Sequence, residues 1–262
     1  MKTRIITALI LLIVILPCVI FGGLSFKLLL GIVAGIAVFE MLSICNRPKA
    51  HIYLYPITAI FVFYSLFFEN ALLISSEAII LYMIILMICS VFDDGMNFLR
   101  LCYYFTAGVL IAMGLHMLYQ LRIIYGFDYI LILALATFGT DTGAYFAGML
   151  FGKHKLNPRL SPKKTIEGSI GGIILGTVLS VAYGAYIQID MPMIWFAVMC
   201  ISLTMTSQIG DLTFSSMKRT FEVKDFSQIL PGHGGILDRF DSILFNAMVF
   251  GIFIHFITMV VA

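Results

Sequence analysis

Apolar residues fill this chain in long uninterrupted runs, and the polar residues collect between them. Runs long enough to cross a bilayer fall at about 5–22, 25–44, 52–68, 72–92, 102–120, 128–150, 168–188, 192–214 and 243–261. The third is short, and the eighth runs on into a polar stretch. Inside a hydrocarbon layer every backbone N–H and C=O must be paired within the protein, so such runs default to helices. A barrel would need strand-type alternation sustained over about ten residues, and none is present. The pattern therefore predicts an all-α, polytopic integral membrane protein of about nine transmembrane helices. Residues 1–125 carry about five of them and are nearly featureless. Residues 126–262 carry the others, together with the polar loops 153–167 and 217–241. No internal repeat, low-complexity tract or soluble domain interrupts this plan.

Composition agrees with the pattern. The chain has 262 residues, 61% hydrophobic and 11% charged, whereas soluble domains average about 25% charged. A formal net charge of +2 argues against a nucleic-acid partner. The distribution of the charge says more than its sum. With the N-terminus in the cytoplasm, the inner segments hold fourteen of the sixteen Lys and Arg, including Arg47 and Lys49, and the outer side keeps Lys27 and Arg122. That is a strong positive-inside bias. The N-terminal run reads as an uncleaved first span, because Gly23-Leu24-Ser25 is a poor cleavage site and the run is long. The five cysteines are scattered through apolar runs, with no CxxC pair, and read as packing residues. Glu40 and Glu77 stand inside apolar runs. A carboxylate there needs protonation, a partner on a neighbouring helix or reach to the interface, or else has a function.

Three polar constellations could carry chemistry, all on the cytoplasmic side of this topology. At the end of the sixth run, Asp141, Tyr145 and Gly148 share one helical face. The loop 153–168 holds five basic residues and one Glu, and its two prolines forbid a long helix. Topology alone would need fewer cations, so Lys153, Lys155, Arg159, Lys163 and Lys164 with Ser161, Thr165 and Asn157 point to a phosphate site. In the third stretch, a continued eighth helix would align Ser207, Asp211, Ser215 and Lys218 as one polar stripe. Beyond it, Pro231-Gly232-His233-Gly234-Gly235 cannot be regular helix, and its glycines would let backbone N–H groups approach an anion. Asp238 and Asp241 would then lie one turn apart at the start of the last helix. Capping explains one such Asp; two of them plus Asp211 suit Mg²⁺, which takes one or two carboxylates and completes its shell with water and phosphate.

The run Ser215-Ser-Met-Lys218-Arg219, then Lys224-Asp225, then Leu230-Pro-Gly-His233-Gly234-Gly235-Ile-Leu-Asp238-Arg239-Phe-Asp241 resembles the signature of phosphatidate cytidylyltransferases, also called CDP-diacylglycerol synthases. Two further segments resemble the same family: Asp141-Thr-Gly-Ala-Tyr145 on to Gly152-Lys153-His-Lys155, and Ser161-Pro-Lys163-Lys164-Thr165-Ile-Glu167-Gly168. The motifs cover roughly residues 140–242. The resemblance implies a multi-pass inner (plasma) membrane enzyme, homodimeric, with a cytoplasm-facing polar cavity, that joins CTP to phosphatidate and releases pyrophosphate. It also implies Mg²⁺, aided by a monovalent cation such as K⁺. On this reading Asp211 and Asp238 hold metal, and Asp241 is a further ligand or supports one. Lys218, Arg219 and Arg239 complete the catalytic set. Asp141, Tyr145, Lys153, Lys155, Ser161, Lys163, Lys164, Thr165, Glu167, Ser215, Lys224, Asp225, His233, Gly234 and Gly235 form the substrate site. Two positions depart from the family pattern: Phe214, where many members carry Glu, and Phe226, where a small or hydroxyl residue is common. The alternatives are a CTP-dependent polyprenol kinase and, from another class, a transporter of an anionic solute. The latter would need broken helices near the midplane, often in two related halves.

Overall fold

The computed structural model describes residues 2–45, 51–69 and 71–261, with the side chains of 2–5, 8 and 258–261 left out of the description. Arg47 and Lys49, which enter the charge count above, lie outside the described residues. Among the described residues the chain forms nine α-helices: α1 (Lys2–Phe21), α2 (Gly23–Cys45), α3 (Leu54–Phe67), α4 (Ser76–Phe92), α5 (Phe98–Gln120), α6 (Phe127–Phe151), α7 (Ile166–Tyr186), α8 (Met193–Thr220) and α9 (Leu237–Val261). A π-helical turn (Leu121–Tyr125) extends α5, and one hairpin, β1 (Lys155–Asn157) with β2 (Ser161–Thr165), joins α6 to α7. Each apolar run thus becomes one helix. Six of these, α2, α5 with its π turn, α6, α7, α8 and α9, are long and apolar enough to cross a membrane, whereas Leu9–Phe21, α3 and α4 are shorter apolar helices. With 14 residues, α3 rises about 21 Å, less than a hydrocarbon core of about 30 Å. Large aliphatic side chains stand outward on the helices, among them Ile13, Ile60, Val91 and Ile194, as a lipid solvent permits. Glu77 is exposed in the first turn of α4, where the helix dipole favours an acid.

The chain divides into two compact units: residues 1–124 with 221–240, and residues 125–220 with 241–262. In the first, α5 packs against α2, α3 and α4. Its start is capped by Asn97, whose side chain accepts the Arg100 N–H at 2.9 Å. The Tyr82 hydroxyl donates to the Tyr104 carbonyl at 3.0 Å, and its ring stacks on Phe61 at 4.3 Å. Arg122 donates to the carbonyls of Val19 and Ile20, closing the C-terminal end of α1.

In the second unit, α6 and α7 approach through small residues. Gly168, Gly172, Gly176, Ser180 and Gly184 recur every fourth position on α7, and all are buried. A Cβ added at Gly143 would lie 2.6 Å from the Gly171 carbonyl oxygen, and one at Gly172 would lie 2.7 Å from that of Thr140. Small residues at such spacing let two helix backbones touch, which supplies van der Waals contact where lipid removes the hydrophobic drive. Polar clasps join the other helices: Asn246 donates to Thr137 Oγ1 at 2.8 Å and accepts from Thr206 Oγ1 at 2.8 Å. This packing sets the end of α6, with Asp141 and Tyr145, beside the start of α7. Gly143→Val and Gly172→Val should each cost about 1–3 kcal/mol by overpacking and lower the unfolding temperature in detergent. Gly35→Ala, whose Cβ would meet only Phe63 at 3.9 Å, should behave as wild type. Unchanged unfolding temperatures in both valine variants would contradict the close packing.

Candidate active site

The basic loop after α6 is a hairpin, a shape that the proline-broken sequence did not predict. Lys155 pairs with Thr165 and Asn157 with Ser161, and the Asn157 side chain accepts the Leu160 N–H at 3.2 Å to turn the chain past Pro158. Thr165 ends the hairpin and caps α7, its hydroxyl accepting the Gly168 N–H at 3.1 Å. Glu167, on the first turn of α7, accepts the N–H groups of Lys153 (3.1 Å) and His154 (3.2 Å) and the His154 ring Nδ1–H (2.6 Å). Glu167 therefore anchors the hairpin from below, and Lys153, Lys155 and Lys163 stand exposed on it. Neighbouring Lys164 turns to the other face and forms an ion pair with Asp211 on α8.

A cavity of about 380 Å³ opens here, lined by Asp141, Tyr145, Lys163, Lys164, Ser169 and Gln208 among others. Ser169 and Gln208 were not foreseen. The Ser169 hydroxyl donates to Gln208 Oε1 at 2.5 Å, and Gln208 Nε2 returns a bond to the Ser169 carbonyl at 3.1 Å. Gln208 stands one turn before Asp211, the only signal that could have marked it. The continued eighth helix is as expected: α8 runs to Thr220, and its stripe of Ser207, Ser215 and Lys218 is buried, while Arg219 at its end is exposed. Gly210 lets α9 come close, since a Cβ there would lie 2.9 Å from Phe245 Cβ and 3.3 Å from the Asp241 carbonyl oxygen. Asp241 is buried, accepts the Ser242 N–H at 2.7 Å, and lies within electrostatic range of Asp211, Lys218 and Asp141. Among the described residues no three His, Cys, Asp or Glu side chains form a ready-made metal cage. Mg²⁺ takes one or two carboxylates and completes its shell with water and phosphate, and Asp211 and Asp241, whose charges act on each other, are donors of that type.

The segment 221–240 belongs to the first unit. Leu230 to His233 form a hydrogen-bonded turn, His233 N–H to Leu230 O at 2.9 Å, with Gly232 at φ +77° as a type II turn after proline requires. Arg239 donates from Nε (3.1 Å) and Nη2 (2.7 Å) to the His233 carbonyl, so its guanidinium braces this turn. His233 Nδ1 is buried and has no hydrogen-bond partner among the described residues. Asp238 Oδ2 accepts the N–H groups of Phe226 (3.0 Å) and Gly235 (2.9 Å). Glu40, from α2, accepts those of Ile236 (2.9 Å) and Leu237 (2.8 Å). Of the donors in the glycine turn, the Gly235 N–H is already held by the Asp238 carboxylate, and the Ile236 and Leu237 N–H groups just beyond it are held by Glu40. Lys224 and Asp225 are exposed. The two unusual phenylalanines are both packing residues: Phe226 is buried, and Phe214 is fully buried, edge-on to Phe245 at 6.2 Å. No carboxylate supports Asp211 from that position.

The pattern that defines the Cytidylyltransferase family matches residues 2–257. The chain belongs to this family. Its resemblance extends well beyond the polar motifs, because α1 to α5 are matched as well. The phosphatidate cytidylyltransferase of Bacillus subtilis (strain 168) is 35% identical over 253 residues, which is 94% of this chain and 94% of that protein. Its counterpart in Staphylococcus saprophyticus is 36% identical over 250 residues, 94% of this chain and 95% of the other. That of Staphylococcus aureus (strain COL) is 36% identical over 251 residues, with the same coverage. For a cytidylyltransferase built this way, the Lys164–Asp211 pair is the place to intervene. Asp211→Asn keeps volume and removes charge; Lys164→Ala leaves Asp211 without its cation. Each should lower the transfer rate at least tenfold, a barrier of about 1.4 kcal/mol or more, with membrane insertion unchanged. Rates within twofold of wild type in both variants would remove the pair from the site.

Proposed function

We propose that this chain transfers cytidylate from CTP to phosphatidate, giving CDP-diacylglycerol and pyrophosphate. One observation carries the reading: a cavity beside the ends of apolar helices is lined by Lys163 and Lys164 of the hairpin and Asp141 of α6, and Lys164 is also paired to Asp211 on α8. A phosphatidate oxygen attacks the α-phosphorus of CTP. A P–O–P bond forms to the lipid, the bond from the α-phosphorus to the α,β-bridging oxygen breaks, and pyrophosphate leaves with the electron pair. The nucleophile is already an anion and needs no general base. The difficulty is repulsion: two unit charges at 4 Å and an effective dielectric of 20 cost about 4 kcal/mol, about a thousandfold in rate. Lys163 and Lys164 supply opposing charge from the hairpin, and Lys218 does so near Asp241.

The resemblance gives Asp211 and Asp238 as the residues that would hold Mg²⁺, with Asp241, one turn after Asp238 on α9, as a further ligand or a supporting residue. When bound, the ion would stabilise charge on the phosphoryl oxygens and orient them. The charge bias supports a cytoplasmic position for the hairpin and the 221–236 segment, where the soluble substrate would arrive. The homodimer implied by the resemblance belongs to the same proposal. The test uses the purified full chain in detergent with phosphatidate, Mg²⁺ and each ribonucleoside triphosphate in turn. Pyrophosphate should appear with CTP in strong preference to ATP, GTP or UTP, should require phosphatidate, and should stop with EDTA. No phosphatidate-dependent pyrophosphate with any nucleotide would sink the proposal.

A further inference from the structure

We infer that Glu40 is a positioning residue for this reaction: from α2 it holds the first turn of α9 and keeps the backbone donors there away from Asp238. The inference rests on the proposed transfer reaction. Glu40 is fully buried, and three donors converge on its carboxylate. Ser227 Oγ (2.5 Å) and the Ile236 N–H (2.9 Å) donate to Oε1, and the Leu237 N–H (2.8 Å) donates to Oε2. The two backbone donors are the orphan N–H groups that a helix start always leaves, and an acid there is also favoured by the helix dipole. Most helices take such a cap from the residue just before them. Here it comes from a side chain 197 positions earlier in the sequence.

The neighbourhood is shaped to the carboxylate. A Cβ on Gly235 would lie 2.7 Å from Glu40 Oε1, so only glycine leaves room. The Tyr103 hydroxyl donates to the Met41 carbonyl at 2.6 Å, which ties α2 to α5 beside Glu40, and the Tyr103 ring meets Phe221 edge-on at 4.8 Å. Two carboxylates therefore divide four backbone donors between them, three of them consecutive. Glu40 takes Ile236 and Leu237; Asp238 takes Gly235 and Phe226. Without Glu40 as acceptor, the freed N–H groups at the helix start become the nearest competitors for Asp238. Asp238 is the residue that the family resemblance joins to the metal, and Asp241 follows one turn later on the same helix. An amide at position 40 keeps one acceptor and sets its NH₂ against backbone donors, so Glu40→Gln is not a neutral change.

The experiment compares wild type, Glu40→Gln and Glu40→Asp as full chains in detergent. Three quantities are measured: Mn²⁺ affinity by electron paramagnetic resonance without nucleotide, kcat and KM for phosphatidate and CTP, and thermal unfolding. Glu40→Gln should weaken Mn²⁺ binding and lower kcat by about 10–100-fold, as loss of a supporting partner does at metal sites, with KM for phosphatidate close to wild type. Glu40→Asp, which withdraws the carboxylate by one methylene, should change both in the same direction. It decides the question if the glutamine variant fails to accumulate. A lower unfolding temperature with wild-type Mn²⁺ affinity and wild-type kcat per folded molecule would overturn the inference, leaving Glu40 as a stabilising cap. If wild type itself makes no product, the reaction is wrong, and the Mn²⁺ comparison still reports on Glu40.

Discussion

A carboxylate among apolar helices must be met by donors or cations from another segment, because water is not there to do it. In this protein the demand is complete at fully buried Glu40, and the partly exposed acids Asp211 and Glu167 are met by partners in the same way. Lys164 answers Asp211, and so brings the hairpin onto α8. The N–H groups of Lys153 and His154 answer Glu167, and so fix where the hairpin leaves α6. The start of α9 answers Glu40, and the loop ahead of it answers Asp238. Each acid organises a stretch of chain that has no apolar pattern to organise it.

Close helix packing is the other half of the construction. The glycines of α6 and α7 bring backbones together, so the end of one helix and the start of the next become two walls of the cavity. A phosphate site needs cations and acids held apart at fixed spacing, since charges free to move would simply pair with each other or with lipid headgroups. Rigid helix ends and a short hairpin provide that fixed spacing. Preorganised charge of this kind is also what lowers a phosphoryl-transfer barrier, because nothing has to reorient as the reaction proceeds.

Much of this was legible in the sequence, for identifiable reasons. Uninterrupted apolar runs have one solution in a membrane, so nine runs became nine helices. The polar stripe from Ser207 to Lys218 kept helical spacing, and α8 does continue through it. The hairpin was hidden because strands of three and five residues carry too little alternation to read, and their lysines pointed to a phosphate site without indicating its shape. Glu40 stood out as a charge in an apolar run, but its partners are nearly 200 residues away, beyond any local rule. Gln208 and Ser169 are ordinary residues until folding places them on one cavity. The four-residue spacing of Gly168, Gly172, Gly176, Ser180 and Gly184 was readable as a packing face, and would have placed α7 against a neighbour. Arg239 entered as one of the catalytic set that the resemblance implies; its guanidinium donates to the His233 carbonyl, a contact no spacing could indicate.

The central claim is that a nucleotidyl group, and not a terminal phosphate, moves onto the lipid. Parallel reactions with CTP labelled by ³²P at the α or at the γ position, each with phosphatidate and the purified chain, measure this directly. The account predicts that the α label passes into the organic phase while the γ label stays in water as pyrophosphate. A γ label recovered in lipid, with the α label left in water, would contradict it.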